Sequence, residues 1–411
     1  MALNYLWIAF FIVAFIVALI KLIFTGDTEI FKIIIDGMFD SSEVAVMKIA
    51  LPLAGVMTFF MGLLNIGERA GAINFLARLV GPFFSRLFPE IPKNHPANGQ
   101  MIMNFSANML GLDNAATPFG LKAMQSLQEL NPSKDVASNA QIMFMVLHSA
   151  GPVLIPLSIM AQRSIYGAAD PSDIFIPCLI ATYIATVTGL LFVAIRQKIN
   201  LLDRVILTWL GGISLFIGFV LWYFSSIPKE QIEVVSKISS NVILFTFIIS
   251  FLLGALIKKV DVFSAFIEGA KGGFETSVKI IPYLVAMLVA IGALRNSGAL
   301  TWVVDGMKYA FALTGMNTDF TDALPTALMH PLSGGGSRAM MIDTMKTFGA
   351  DSFAGRLSCV FQGSSDTIFY VLALYFGSVN IRNTRYTLWA GLTADLVSII
   401  TAIWVSYIFF H

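Results

Sequence analysis

Nine stretches free or nearly free of charged residues punctuate the chain: Ala2–Ile20, Ile49–Ile66, Ala137–Ala161, Ile174–Ile195, Val205–Ile227, Ile238–Ile257, Ile280–Leu294, Leu357–Ile381 and Leu388–Phe410. A helix of about 20 apolar residues matches the ~30 Å hydrocarbon core of a bilayer, so each is predicted as a membrane-crossing helix. Ile280–Leu294 is short and needs Lys279 and Arg295 to reach outward from its ends. The first stretch has no basic segment before it and no small-residue cleavage site before Lys21, so it is expected to be a retained span.

The polar segments between these stretches repeat in order. Phe31–Pro52 and Phe263–Pro282 are both mixed and amphipathic, with Asp36-Gly37 and Glu268-Gly269 near their centres. Each passes a lysine (Lys48, Lys279) and reaches a proline expected to start a helix. Gly62 and Gly292 follow, and then Arg69-Ala-Gly-Ala and Asn296-Ser-Gly-Ala. This series predicts two related halves, 1–199 and 236–411, joined by a connector at 200–235 that carries one extra span. Basic residues cluster after every second span, at Arg69–Lys134, Arg196–Arg204, Lys258-Lys259 and Arg382–Arg385. By the positive-inside rule they share one side if the N-terminus is cytoplasmic, and the extra span then inverts the second half. The expected fold is all-α and polytopic, with two inverted-topology repeats.

Short or interrupted apolar segments at matching places in two such halves point to a binding site, because an interrupted helix exposes backbone groups that lipid cannot satisfy. One pair predicts re-entrant hairpins. Met101–Leu112 runs into Asp113, Asn114 and Thr117, and Ala327–Leu332 runs into Ser333, Gly334 and Ser337, with three glycines expected to form an open, ligand-approaching turn. The other pair interrupts long spans, at His148-Ser149-Ala150-Gly151-Pro152 and at Gln362-Gly363-Ser364-Ser365-Asp366-Thr367. Asn104 and Asn108 are four apart on one helix face and read either as interhelical glue or as ligand contacts. His148 reads as a packed histidine or a proton-exchanging ligand, and Asp366 as a solute or ion contact or a partner of Arg338. Asp395, alone in the last apolar run, reads as a partner of Arg382 or Arg385 or as an ion-coupling group with Asp366.

Composition narrows the chemistry. Hydrophobic residues are 57% and charged residues 12% of the 411, against roughly a quarter charged in soluble domains. A net charge of +1 gives no reason to expect a nucleic-acid partner. Cys178 and Cys359 lie in separate apolar runs and offer neither a disulfide framework nor a zinc spacing. No His-Glu-x-x-His or Gly-x-Ser-x-Gly motif occurs, so catalysis is not expected. The expected partners are the bilayer, a small solute and, as a candidate, a second copy of the chain; no cofactor is expected beyond Na⁺ or H⁺ as coupling ion.

The long motifs then carry a resemblance. MGLLNIGERAG, LFPEIPKNHPANGQMIMNFSANMLGLDNAATPFGLKAMQSLQELNP and KDVASNAQ make the first half resemble spore maturation protein A. EGAKGGF, KIIPYLVAMLVAIGALRNSGA, LMHPLSGGGSRAM, FQGSSDTIFYVLALYFGSV and IRNTRYTL make the second resemble spore maturation protein B. That family carries the nucleoside-recognition or gate domain and is similar to parts of concentrative nucleoside transporters. The resemblance implies a multi-pass protein of the bacterial cytoplasmic membrane that holds a small polar solute at Asn104, Asn108, Asp113, Asn114 and Thr117 in the first half, and at Ser333, Gly334, Ser337, Gln362, Ser364, Ser365 and Asp366 in the second. His148 and Ser149 join these from the residue reading. Transport of a nucleoside-like solute or a small organic anion is the leading expectation, and a non-transporting scaffold of envelope or spore maturation the alternative. Two departures stand out: a longer, more charged glycine segment, and Asp366 where glutamate is usual.

Overall fold

The computed structural model describes residues 2–92, 94–110, 113–151, 153–154 and 156–411. The first half contributes α1 (Ala2–Ile20), α2 (Ile30–Glu43), α3 (Leu51–Arg69), α4 (Ala72–Leu87), α5 (Pro96–Met109), α6 (Asp113–Leu130), α7 (Asn139–Ser149), α8 (Leu157–Ile165) and α9 (Phe175–Gln197). The connector is α10 (Arg204–Ser226). The second half contributes α11 (Lys229–Ile257), α12 (Val262–Asn296), α13 (Ala299–Ala312), α14 (Leu324–Met329), α15 (Gly334–Phe348), α16 (Phe353–Gly363), α17 (Ile368–Ser378) and α18 (Thr387–Phe410). The order matches element for element: α1 with α11, α2 and α3 with α12, α4 with α13, two hairpins, two broken helices, and α9 with α18. Among the described residues there is no β-strand, only an isolated bridge between Val136 and Asn383.

Pro282 does not start a helix, and Pro52, in the first turn of α3, opens a helix that is continuous with the one before it. Pro282 lies inside the 35-residue α12, and Pro52 sits in a 40-residue helical stretch, Ile30–Arg69. There the π-helical turns Val44–Ala50 separate α2 from α3 just before the proline. Widened turns of this kind accommodate a residue that lacks an N–H and crowds the preceding carbonyl. The amphipathic segments are therefore continuous with the spans that follow them.

Glycines let these long helices close on each other. A Cβ on Gly273 would stand 2.5 Å from Met57 O, one on Gly292 would stand 2.5 Å from Ser41 Oγ, and Asn296 fills the space over Gly37. The pairings 57 with 273, 41 with 292 and 37 with 296 run in opposite directions, so α2–α3 and α12 are antiparallel. Opposite direction of equivalent helices is what inverted halves require. The corners after these helices also match: Gly71 and Gly298 both take a left-handed φ (+90° and +84°), which favours glycine. A lysine from the other half lies on each: Lys258, which follows α11, at Gly71, and Lys21, which follows α1, at Gly298.

Among the described residues, seven helical stretches are long and apolar enough to cross a membrane: Trp7–Thr25, Ile30–Arg69, Phe175–Gln197, Arg204–Phe224, Ile238–Ile257, Phe353–Ser378 and Thr387–Phe410. Leu284–Asn296 and Ala299–Ala312, bent by 71°, make an eighth. Ala137–Ala161, the remaining apolar stretch of the sequence, is divided between α7 and α8. The chain is thus an all-α polytopic membrane protein.

Two compact units divide the fold. One comprises 1–61, 158–171 and 270–362, the other 62–157, 172–269 and 363–411. Each draws on both halves. The second unit holds the first hairpin (α5, α6), α7 and α17, with a core that includes Met101, Phe105, Met124, Phe144 and Tyr375. Small residues close α9 onto α7 and α18, where Gly189 faces Val146 and Ala394. The first unit holds the second hairpin (α14, α15), α8 and α16.

Candidate functional site

In the second unit the first hairpin lies against the break after α7. Pro96 at the first turn of α5 and the His95 side chain, which accepts from Ala97 N, start the inward arm. Ser138 and Gln141 close a reciprocal capping box at the start of α7, which then runs buried to its break. The two loops that lead into α7 and α18 bond to each other, with Ala137 N donating to Asn383 O at 2.9 Å and Arg382 N to Asp135 O at 3.0 Å.

Asn104 joins three segments. Its Nδ2 donates to Ala116 O on the outward arm of the hairpin (2.7 Å), and its Oδ1 lies 3.0 Å from His148 Nδ1. Asn108 Nδ2 donates to His148 O (3.2 Å), a carbonyl in the last turn of α7. Leu154 N, past the break, donates to Met109 O at the hairpin turn (2.7 Å). Both asparagines thus hold the hairpin to the broken helix.

The second break meets the first directly. Asp366 N donates to Ser149 O (2.7 Å), so one interrupted helix satisfies a carbonyl left by the other. The Asp366 carboxylate accepts from Thr367 N (2.7 Å), the residue that follows it at the break. Ser365 Oγ donates to Asp395 Oδ1 (2.6 Å), and Ser398 Oγ to Ser364 O (3.3 Å). Arg385 donates instead to Ala137 O and Asn139 Oδ1, so Asp395 faces the break through Ser365. Ser149 Oγ bonds back to Val146 O.

Tyr375 was not anticipated. It is 1% exposed, and its ring stands edge-on 4.7 Å from His148, which is 6% exposed. Its hydroxyl faces Asn104 and Thr117 without a hydrogen bond of good geometry. Gly120 makes the room, since a Cβ there would stand 2.5 Å from the Tyr375 ring and 2.8 Å from Asn104 Nδ2. No sequence signal separates Tyr375 from the exposed Tyr370, because both lie in one apolar run.

Three expected site residues, Ser333, Gly334 and Ser337, lie with Gln362 in the first unit. Ser333 is an N-cap, accepting from Gly336 N at 3.0 Å, and the three glycines form the first turn of α15 without a positive φ. The open glycine turn is therefore corrected to a helix start, where small residues let Met329 and Met287 pack against Gly336. Ser337 Oγ donates to Thr326 O (2.9 Å), joining the arms of this hairpin as Asn104 joins those of the other. Gln362 Oε1 is buried without a partner. The side chains of Asp113 and Asn114, and all of Pro152, lie outside the described residues.

A hairpin laid on two helix breaks that meet defines a class of membrane protein that builds polar sites from interrupted helices. The family model Gate, nucleoside recognition, matches residues 50–167 and 277–382, together more than half of the chain and including both hairpins and both breaks. The chain belongs to this nucleoside-recognition family. It is 45% identical over 152 residues to spore maturation protein B of Bacillus subtilis (strain 168), covering 37% of this chain and 84% of that protein. It is 33% identical over 188 residues to spore maturation protein A of the same organism, covering 46% of this chain and 92% of that protein. No solved structure matches the chain.

Proposed function

We propose that this protein is a secondary-type transporter of a nucleoside-like solute in the bacterial cytoplasmic membrane, with its N-terminus on the cytoplasmic side. The observation that carries the reading is the buried cluster of His148, Asn104 and Tyr375 where the first hairpin meets the two breaks. Buried hydrogen-bonding groups at interrupted helices are costly in a membrane and belong where a polar solute is handled. The charged neighbour of His148 is the Asp366 carboxylate, which disfavours an organic anion. The family's description as nucleoside recognition points the same way. Asp366 and Asp395 are the acidic groups for Na⁺ or H⁺ coupling, since both engage the segment 364–367.

Uptake of labelled nucleosides into proteoliposomes, with and without a Na⁺ or pH gradient, tests the reading. Saturable uptake is expected, lost in His148→Ala and reduced in Asp366→Ala. The relatives' names favour a second reading, a scaffold acting in spore or envelope maturation without transport. No uptake and no thermal stabilisation across a panel of nucleosides and nucleobases would select it.

A further inference from the structure

A cavity of about 290 Å³ lies in the second unit, beside the polar cluster but chemically unlike it. Ala70 and Gly71 from the α3–α4 corner, Phe251 and Gly254 from α11, Leu110 at the hairpin turn and Leu154 past the first break line it. Its hydroxyl, Ser250 Oγ, is used within its own helix on Phe247 O (2.7 Å), so the wall offers an occupant no polar group to match. An apolar cavity of about 150 Å³ takes up benzene, so this one holds a longer hydrocarbon segment.

The rim has the opposite character. Lys258 follows Gly254 by one helical turn and places its ammonium at Gly71, on the cavity's edge; Lys259 comes next. Both end the candidate span Ile238–Ile257, at the depth where phospholipid headgroups lie. Arg69 is occupied by Glu268, which leaves the two lysines as the positive charge on offer. An apolar chamber one turn beneath paired ammonium groups matches an anionic amphiphile in both its parts. We propose that this is a binding site for one anionic phospholipid, its phosphate on Lys258 and Lys259 and an acyl chain in the cavity. The chain end then rests on Leu110 and Leu154, whose segments are joined by the Leu154 N to Met109 O bond, so the lipid buttresses the hairpin turn against the break.

The test is the lipid retained by protein purified from membranes of equal phosphatidylglycerol and phosphatidylcholine content, read by native mass spectrometry. Phosphatidylglycerol is expected to be enriched roughly fivefold for each lysine, the preference of a juxtamembrane basic residue for anionic lipid. Ser250→Trp, which fills the cavity, should abolish the retained lipid of either kind. Lys258→Gln with Lys259→Gln, at an exposed helix end, should remove the enrichment while leaving the elution profile unchanged. No enrichment in the unaltered protein, or enrichment that survives either the filled cavity or the removed charges, overturns the proposal. If Ser250→Trp does not fold, the double lysine variant alone decides.

Discussion

Asn104 Oδ1 stands 3.0 Å from His148 Nδ1, and the other end of the same amide fixes what that contact means. Because Asn104 Nδ2 is engaged by Ala116 O, its oxygen must face the imidazole, and Nδ1 is the donor. In the neutral ring Nε2 then keeps its lone pair as an acceptor for a solute or a proton. One asparagine thereby sets the tautomer of a buried histidine and ties two arms of a hairpin to a broken helix.

Replacing Asn104 by leucine keeps its bulk and leaves His148 Nδ1 and Ala116 O without their partner. A buried group stripped of its hydrogen bond costs about 1–3 kcal/mol, so Asn104→Leu is expected to lower the thermal unfolding midpoint in detergent and to weaken solute binding. Unchanged stability and unchanged binding together would contradict the bonding described for this amide.

Tyr375→Phe removes a buried hydroxyl that lacks a well-formed bond and keeps the ring against His148. Deleting such a group is close to neutral for folding, within about 0.5 kcal/mol. Solute affinity is expected to fall about tenfold, the ~1.4 kcal/mol of one hydrogen bond. Thermal shift with and without solute separates the two effects.

Gly273→Ala places a Cβ 2.5 Å from Met57 O, a backbone atom that cannot rotate away. Overpacking of this kind costs about 1–3 kcal/mol or more. Gly272→Ala, one residue earlier and with no neighbouring element within 4 Å of the added Cβ, is the control and should hold or raise stability, since glycine inside a helix costs about 0.5–1 kcal/mol relative to alanine. Fluorescence-detected size exclusion after heating ranks the two.

Arg295 and Asp343 pair between α12 and α15, with side chains 30% and 13% exposed. Arg295→Met alone leaves a carboxylate without its cation, and partial exposure lowers the expected cost to about 2–3 kcal/mol, below the ~3–5 of a fully buried pair. Asp343→Leu in the same background should recover most of that loss. Failure of the second change to rescue would show that the pair is not coupled.

Much of this architecture was legible beforehand because the bilayer imposes a length and a polarity on every crossing helix. The nine apolar stretches, the matched corners at Gly71 and Gly298, and the two breaks all announce themselves as departures from an apolar run. Pro282 misled because a proline after an amphipathic segment looks like a helix start unless the continuity of α12 is seen, whereas Pro52 does stand in the first turn of α3. The glycine triplet misled for a related reason: three glycines permit a loop, but Ser333 capping and methionine packing make them a helix start.

The amino-acid sequence by itself determined the class of protein, its two inverted halves and the four polar interruptions, since each follows from local composition and chain order. Only the tertiary structure decided which interruptions meet. It brought His148, Asn104, Asp366 and Tyr375 into one cluster while grouping Ser333, Ser337 and Gln362 in the other compact unit. Such partnerships depend on contacts between residues up to some 270 positions apart, such as Asn104 and Tyr375, which no periodicity along the chain encodes.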